Sequence, residues 1–361
     1  MGACYEPADR LKAELFDYPL PEAQIARRPP AARDGGRMMV VSGFERQHRK
    51  VAEFAELVPE GALLVMNDTR VRRARVLGTR RPAGGKVELL LLEPLGTWPD
   101  GRERWRALGR ANKPLREGSR IDAGELEIEV VARAAEEGLL ELAISAPNTV
   151  EATLERVGHV PIPPYLGRDD DGEDVERYQT VYARRTASVA APTAGLHLNQ
   201  AMLARLASRG VKLARLELEV GLGTFRPVTA PDLDQHAMHE ERFAVDAELA
   251  AQIHEARLRG AGVVAVGTTV VRALESAADP EHAGEVRPFC GTTRLLIQPG
   301  YRFRVVDALL TNFHQPRSTL IALVSAFAGY DATRAAYLDA LASGYRFLSY
   351  GDAMWIPRRV E

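Results

Sequence analysis

The stretch Val263-Val264-Ala265-Val266-Gly267-Thr268-Thr269 decides the fold class, because an apolar run leads through one glycine directly into a helical pattern. Four consecutive apolar residues predict a strand buried on both faces, as in a parallel sheet. Residues 270–277 have the pattern of the helix that follows. A strand that feeds a helix in this way is the building unit of α/β domains. The free backbone N–H groups at such a helix start also attract anions.

The same alternation of strand and helix appears on both sides of this stretch. Residues 62–66 predict a buried strand, and a predicted helix at 200–209 leads into a strand within 211–220. Asp246 is placed to cap a further helix that ends at Gly260. We therefore predict an α/β main domain formed by residues 1–70 and 151–361. Within it, the acidic run 169–174 is interpreted as a solvated loop, and residues 345–355 as a closing core strand.

Residues 71–150 have a different texture. Short β-rich runs, such as 86–92 and 126–131, are separated by glycine, proline and charged turns, and no convincing helix interrupts them. This pattern predicts an inserted small all-β domain that resembles a barrel. Arginines cluster at its start, and they fit either a solvated edge strand or a phosphate-binding stripe, of which we favour the stripe: Arg70, Arg72, Arg73, Arg75, Arg80 and Arg81.

The composition is that of an ordinary soluble globular protein, with 46% hydrophobic and 27% charged residues over 361 positions. No run approaches the ~20 apolar residues of a membrane span. The first ten residues lack a secretory pattern, and Cys4 and Cys290 suggest neither a disulfide framework nor a zinc site. We expect a cytoplasmic protein without a membrane partner. The net charge of −2 does not mark a general nucleic-acid binder.

A second stretch, Ser188-Val-Ala-Ala-Pro-Thr-Ala-Gly-Leu-His197, points to chemistry. Its small, uncharged residues let the backbone turn tightly and approach a ligand, and it ends in a histidine able to act as acid or base. The alternative is a simple connector with a core-facing histidine. Similar polar loops recur at 67–70, 221–226, 236–241, 267–272 and 311–317. If they converge, they form a pocket suited to substrate positioning and proton transfer, without metal or covalent nucleophile.

A metal site is the competing interpretation. His236 and His239 lie three residues apart and are followed by Glu240 and Glu241. Zinc hydrolases with the H-E-x-x-H pattern need histidines four apart with glutamate between them, and no cysteine is near. Pro231 and its polar neighbours predict a loop rather than a rigid helix. A metal hydrolase is therefore kept only as an alternative, and no metal ligand is assigned.

Seven motifs in order resemble the S-adenosylmethionine:tRNA ribosyltransferase-isomerases of queuosine biosynthesis. They are Asn67-Asp-Thr-Arg-Val71, Tyr178-Gln-Thr-Val-Tyr182, Val189-Ala-Ala-Pro-Thr-Ala-Gly-Leu-His197, Val220-Gly-Leu-Gly-Thr-Phe225, Ala265-Val-Gly-Thr-Thr-Val-Val-Arg-Ala-Leu-Glu-Ser276, Thr311-Asn-Phe-His-Gln-Pro316 and Tyr350-Gly-Asp-Ala-Met354. The resemblance covers about residues 15–356. It implies an α/β domain with an inserted β-barrel, in agreement with the pattern above.

The resemblance also implies the reaction of a transferase and isomerase in tRNA modification. S-Adenosylmethionine serves as ribosyl donor and co-substrate, with no permanently bound cofactor. The acceptor is 7-aminomethyl-7-deazaguanine in the tRNA anticodon, and the products are epoxyqueuosine, adenine and methionine. The implied partners are the tRNA anticodon stem-loop and S-adenosylmethionine, and we expect a monomer.

Site residues follow from the resemblance as hypotheses. His197 with Thr193 lines the reacting centre, and His239 is an additional proton carrier. Thr268, Thr269 and Arg272 grip the methionine carboxylate, while Asp68, Asn312 and His314 contact base edges. The remaining substrate-binding candidates are Arg70, Tyr178, Gly195 and Arg226. For each residue, the alternative is a structural hydrogen bond within its loop.

The sequence departs from the family pattern at three positions. Glu219 stands where the family commonly has histidine, Leu198 where it has phenylalanine, and Arg73 where it has proline. Glu219 puts a carboxylate in place of an imidazole. Two alternatives follow, a paralogue with a different acceptor and a non-catalytic RNA-binding protein that kept the fold.

Overall fold

The computed structural model of the chain describes residues 11–82, 84–133, 138–221 and 228–360. In these residues the strands are β1 (Arg37–Ser42), β2 (Glu45–Lys50), β3 (Leu63–Asn67), β4 (Thr69–Val71), β5 (Arg75–Arg81), β6 (Lys86–Thr97), β7 (Glu103–Ala111), β8 (Arg120–Ala123), β9 (Leu126–Arg133), β10 (Leu139–Ser145), β11 (Arg185–Ser188), β12 (Lys212–Leu218), β13 (Glu241–Val245), β14 (Val263–Val266), β15 (Phe289–Thr293), β16 (Ala308–Asn312) and β17 (Ala353–Ile356). The helices are α1 (Phe54–Leu57), α2 (Val150–Val157), α3 (Gly172–Arg177), α4 (Gln200–Ser208), α5 (Ala247–Leu258), α6 (Thr268–Ser276), α7 (Thr319–Ala328) and α8 (Tyr330–Ala342).

The main sheet is mixed and has the order β15-β13-β12-β3-β14-β16-β17-β1-β2 in the described residues. Its centre is parallel, because β3 pairs in parallel with both β12 and β14, and β14 with β16. Antiparallel pairs extend the sheet on both sides. The predicted α/β main domain is confirmed.

Two hydrophobic cores cover the two faces of this sheet. Leu63 and Val65 of β3 point into one core, with the buried sides of α5, α6, α7 and α8, whereas Leu64 and Met66 point into the other, with α1 and α4. β14 alternates in the same way. Residues 63–66 of β3 and all of β14 are therefore apolar, since each neighbouring residue packs under a different layer of helices.

A closed antiparallel barrel, with strand order β10-β7-β6-β5-β8-β9, occupies the chain between β4 and α2. Alternate residues Val87, Leu89 and Leu91 of β6 fill its interior together with Trp105. The predicted barrel is confirmed. Its core continues to Leu154 of α2, beyond the predicted end of the module at 150. The domain boundaries themselves stay a prediction.

The acidic run 169–174 is solvated only in part, because Asp169 and Glu173 are exposed but its last carboxylate is not. Asp174 is completely buried, and its carboxylate accepts hydrogen bonds from both terminal nitrogens of Arg168 (2.5 and 2.8 Å) and from the Tyr350 hydroxyl (2.7 Å). Asp171 caps α3 at its start. The prediction failed at Asp174 because Arg168 and the Tyr350 hydroxyl supply hydrogen bonds to its carboxylate, and a run of charge does not reveal such partners.

The predicted closing strand is also shorter than expected. Only β17 is extended, and residues 345–352 form a loop whose apolar side chains, Tyr345 and Phe347, are nevertheless fully buried. Leu348 takes a positive φ of 74° in this loop. Apolar composition predicted burial correctly but not the strand.

Most arginines of the cluster form hydrogen bonds or ion pairs within the protein, which contradicts the predicted phosphate-binding stripe. Arg72 is buried and pairs with Glu151, and Arg75 bonds Glu88 and Asp169. The other committed side chains and their partners are Arg73 with the Glu155 carbonyl, Arg80 with Ser119, and Arg81 with Asp122. Of the six, only Arg70 is exposed without a hydrogen bond or ion pair in the described part of the chain. None of the helices in that part is both long and apolar enough to cross a membrane.

Candidate functional site

The carboxyl ends of β14 and β16 open into a cavity with about 620 Å³ of empty space, counted out to its mouth. Ligands of α/β sheets bind at this edge, because loops from several strands meet there. Its walls combine apolar and aromatic residues such as Tyr165, Val220, Phe313, Leu320 and Leu348 with polar side chains: Thr193, Thr268, Thr269, Thr311, Asn312, His314, Gln315, Ser318 and Ser349. Five residues chosen from the sequence therefore come together here: Thr193, Thr268, Thr269, Asn312 and His314.

The start of α6 forms one wall of this first cavity. Gly267 has a φ of 95°, which favours glycine, and it lets the chain turn from β14 into the helix against Ala194. The N–H groups of Thr268 and Thr269 lie in the first turn, where the helix dipole favours negative charge. The Thr269 hydroxyl is buried with no hydrogen-bond partner in the described residues. This wall is suited to bind an anionic group and one further donor or acceptor.

Asn312, at the end of β16, links the first cavity to His197. Its Nδ2 donates to the Leu348 carbonyl and to Nε2 of His197, both over 3.1 Å. Its Oδ1 is buried and has no partner among the described residues. His197 does not line the cavity but lies behind Asn312. Burial lowers the pKa of His197 to about 4, so the imidazole is neutral near pH 7.

His314 lines the first cavity directly. Its Nε2 lies 2.8 Å from the Thr311 hydroxyl, and its backbone N–H donates to the Tyr337 hydroxyl over 3.0 Å. Burial lowers the pKa of His314 to about 3. The residue therefore presents a neutral ring in a fixed orientation, suited to hydrogen bonding rather than to carrying a positive charge.

The turn at Thr193–His197 lies against two buried tyrosines. A Cβ on Gly195 would overlap the hydroxyl of Tyr182 and approach Thr180 Cγ2 to 2.8 Å, so only glycine fits. Tyr178 is fully buried and packs edge-on against Tyr350, with ring centroids 5.9 Å apart. Gly195 and Tyr178 thus shape the wall from behind and do not face the cavity.

Arg272 is placed differently from its predicted role. It is buried on α6, forms an ion pair with Glu241 and donates to the Leu295 carbonyl over 3.0 Å. It does not line the first cavity. The guanidinium that was expected to bind the methionine carboxylate is already paired with a carboxylate of the protein.

Two further candidates lie away from the cavities. Asp68 is mostly buried, and burial raises its pKa against the opposing effect of Arg184. Arg70 is exposed on β4. Arg226 lies outside the described residues.

A second, larger cavity is a cleft between the barrel and the edge of the main sheet, with about 2090 Å³ of empty space including open solvent. The barrel contributes Leu92, Glu93, Arg106, Leu108, Arg133 and Glu141. The main domain contributes Ala187, Val189, Glu219, Val220, Gly221, His239, Glu240, Glu241, Arg242 and Arg294. Val220 lines both cavities, so the two spaces adjoin at this residue.

Of the two histidines in the metal hypothesis, His239 lines this cleft and His236 does not. His236 ends a short turn and His239 is exposed, in a segment without helix. The pKa of His236 is lowered by burial and by the neighbouring His239. In the described residues, the one group of at least three metal-type side chains within 4.8 Å is Asp279, Glu281 and His282, which includes neither histidine.

Some residues of both cavities have no recognisable signal in the sequence. Ser349 and Tyr165 line the first cavity and share a 2.6 Å hydrogen bond, although they are 184 residues apart. Tyr350, next to Ser349, belongs to a motif that was noted but given no role. On the barrel side, the alternation of polar and apolar residues predicted the strands but not which outward side chains face the sheet.

Comparison with known proteins gives four consistent findings. The family described as "Queuosine biosynthesis protein" matches residues 13–356. An S-adenosylmethionine:tRNA ribosyltransferase-isomerase from Sorangium cellulosum is 53% identical and covers 96% of this chain and 98% of its own. A relative with the same name from Magnetococcus marinus is 44% identical, covering 100% and 98%. The crystal structure of S-adenosylmethionine tRNA ribosyltransferase from Thermotoga maritima matches with a TM-score of 0.53 and 33% identity, covering 95% and 99%.

Proposed function

The chain belongs to the queuosine biosynthesis protein family and is a tRNA ribosyltransferase-isomerase, and from that premise we propose its substrates and site. S-Adenosylmethionine donates its ribosyl part to 7-aminomethyl-7-deazaguanine in tRNA. The ribosyl part is isomerised to give epoxyqueuosine, and adenine and methionine leave. The enzyme acts as a cytoplasmic monomer and holds no permanent cofactor.

The observation that carries this proposal is the pair of cavities that meet at Val220. A transfer between a small donor and a polynucleotide needs one enclosed site and one open site, with the reacting atoms at their junction. The first cavity is lined by small polar groups and suits the donor. The cleft beside the barrel is large and open, and suits a nucleotide that is still part of an RNA chain.

The first cavity is assigned to S-adenosylmethionine. The first-turn N–H groups of Thr268 and Thr269 take the methionine carboxylate, in the role expected of Arg272. The unpartnered Thr269 hydroxyl and Asn312 Oδ1 supply a donor and an acceptor for polar groups of the ligand. Buried polar atoms without partners are costly, and a bound ligand that pairs with them recovers that cost. His314 and Thr193 complete the wall.

Proton transfer is assigned to the cleft side of the junction. The acceptor amine must lose a proton before its nitrogen attacks, and a base must also remove a ribose proton beside the sulfonium. His197 and His314 are neutral but only weakly basic, because burial lowers the pKa of both. His197 is therefore a positioning residue for Asn312. His239, exposed at the cleft, is assigned the role of additional proton carrier.

The cleft is assigned to the tRNA anticodon loop. Sequence-specific enzymes read single-stranded loops whose bases leave the stack and enter a pocket. Arg133 lines the cleft with no ion pair in the described residues, and Arg294 and Arg242 lie on the opposite wall, largely exposed. These cations are placed to contact the phosphates that flank the inserted base.

The experiment is a reaction of the purified protein with S-adenosylmethionine and tRNA carrying 7-aminomethyl-7-deazaguanine, in EDTA, followed by nucleoside mass analysis. Epoxyqueuosine with free adenine is the expected result, and its formation in EDTA also excludes a metal hydrolase using His236 and His239. A tRNA with guanine at the same position serves as the unreactive control. Binding of both substrates without any product would overturn the proposal in favour of a non-catalytic RNA-binding protein, and reaction of a different base would indicate another acceptor.

A further inference from the structure

We propose that Glu219 is the residue that recognises the acceptor, binding its cationic aminomethyl group in the cleft and accepting the proton that this group must lose. The inference rests on the proposed function and adds to it a residue that determines specificity for a positively charged acceptor.

Glu219 lies next to the junction of the two cavities. Glu219 lines the cleft, and the next residue, Val220, is the wall shared with the first cavity. The backbone here is fixed on both sides, because the Glu219 N–H donates to the Arg242 carbonyl (2.9 Å) and the Val220 N–H to the Ser188 hydroxyl (2.8 Å). Ser188 is itself held by Thr69 over 2.7 Å. A rigid backbone places the carboxylate beside the junction where the donor and acceptor must meet.

The Glu219 carboxylate differs from the other described carboxylates of the cleft in having no partner. Among the described residues, five carboxylates line the cleft, and four of them are already engaged: Glu93 with Arg242 (3.0 Å), Glu141 with Arg104, Glu240 with Thr292 (2.7 Å) and Glu241 with Arg272. Within the described part of the chain, the Glu219 carboxylate makes no hydrogen bond or ion pair, although it is half-buried. A partly desolvated carboxylate without a partner favours a cationic ligand that supplies one.

The charges around Glu219 suit a proton acceptor. Burial raises the pKa of Glu219, and the nearby carboxylates of Glu217 and of Glu93 on the barrel raise it further. The positive charges of Arg242 and Arg72 lower it. A carboxylate with a raised pKa takes a proton from an ammonium group more readily than an ordinary one. In this step one N–H bond of the aminomethyl cation breaks, and the proton forms an O–H bond on Glu219. The electron pair remains on nitrogen, which becomes the nucleophile.

Binding provides a test that does not depend on turnover. Two anticodon stem-loop RNAs of identical sequence carry either 7-aminomethyl-7-deazaguanine or guanine at the wobble position. We expect the wild type to prefer the aminomethyl RNA by about tenfold or more, the usual value of a charge-assisted contact. Glu219→Gln is expected to abolish this preference while leaving the Kd for the guanine RNA unchanged. An undiminished preference in Glu219→Gln would overturn the inference.

Glu217→Gln is the matched control, because this residue lies two positions earlier, on β12, and pairs with Arg185 outside both cavities. It is expected to keep the wild-type preference. If Glu219→Gln bound neither RNA, the same binding measurement on Glu219→Asp, which retains the charge, would test the inference. A recovered preference supports the inference, and binding without preference overturns it. Wild-type turnover without any preference for the aminomethyl RNA would refute the role of Glu219 and leave the proposed function intact.

The pH dependence of kcat/KM distinguishes a role of Glu219 in proton transfer from a purely structural role. In the wild type, kcat/KM should rise with pH as the Glu219 carboxylate ionises. In Glu219→Gln this dependence should disappear and kcat/KM should fall by about 10²-fold or more, as for loss of a general base. A variant with reduced kcat/KM but the wild-type profile would show that Glu219 only supports the cleft wall.

Discussion

The Nδ2 atom of Asn312 donates one hydrogen bond to the Leu348 carbonyl and another to Nε2 of His197, both over 3.1 Å. A carbonyl oxygen can only accept, so the Leu348 contact fixes the orientation of the amide. Nε2 of His197 must then be the acceptor, and the imidazole carries its proton on Nδ1. A buried, neutral histidine thus holds Asn312 with its Oδ1 available at the first cavity.

Replacing Asn312 by aspartate tests this relationship. The Asn312→Asp variant puts a carboxylate oxygen opposite Nε2 of His197, and a carboxylate favours the imidazolium form. We expect the pKa of His197 to rise from about 4 toward the neutral range. A histidine NMR titration measures this change. His314 in the same wall, which bonds Thr311, is the internal control and should not shift. An unshifted His197 would show that the amide does not set its protonation.

Thr269→Val tests the donor site. The Thr269 hydroxyl is buried without a partner in the described residues, so valine removes no internal hydrogen bond. We expect unchanged thermal stability and an S-adenosylmethionine Kd that is about 3- to 10-fold higher, measured by calorimetry. Thr153→Val, which removes a buried hydroxyl on α2 that bonds Thr149, is the control and should leave the Kd unchanged. Equal Kd values for wild type and Thr269→Val would place the ligand away from the start of α6.

Gly195→Ala tests the close packing behind Thr193. The added Cβ overlaps the Tyr182 hydroxyl, and Tyr182 is itself buried, so the turn must move. We expect a loss of about 1–3 kcal/mol in the free energy of unfolding, as for overpacked cores, together with weaker donor binding. Gly172→Ala is the control, because nothing lies within 4 Å of a Cβ at that position. If both variants were equally stable, the turn would have more room than its contacts indicate.

The sequence predicted the structure correctly where the local pattern of apolar residues matches their burial in the fold. The apolar runs of β3 and β14 predicted a sheet with helices on both faces, and the loops at 188–197, 267–272 and 311–317 do converge on one cavity. It failed where a partner lies far along the chain. Arg272 on α6 has a side chain that commonly binds carboxylates, but it is already paired with Glu241 of β13. Long-range partners of charged residues leave no periodic trace in a sequence, so charge predicted exposure where the fold provides neutralisation.

Asp174 is another charged side chain that the fold buries together with its partners, and pH can test its contribution to stability. Burial alone would raise its pKa, but hydrogen bonds from Arg168 and Tyr350 bring the pKa below its ordinary value. A carboxyl whose pKa is lower in the folded state stabilises the fold above its unfolded pKa of about 4. This contribution is lost as pH falls through the folded pKa.

Asp174→Asn should therefore destabilise the protein by about 3–5 kcal/mol at neutral pH, because it leaves Arg168 partly buried without its carboxylate. The difference from the wild type should shrink as pH falls toward the folded pKa, since the wild type then also loses the charge. Urea unfolding at a series of pH values measures both effects. Asp169→Asn is the control, because that side chain is 82% exposed and its pair with Arg75 is worth about 0–1 kcal/mol. A pH-independent difference for Asp174→Asn would mean that packing of the side chain, and not its charge, holds α3 against the loop before β17.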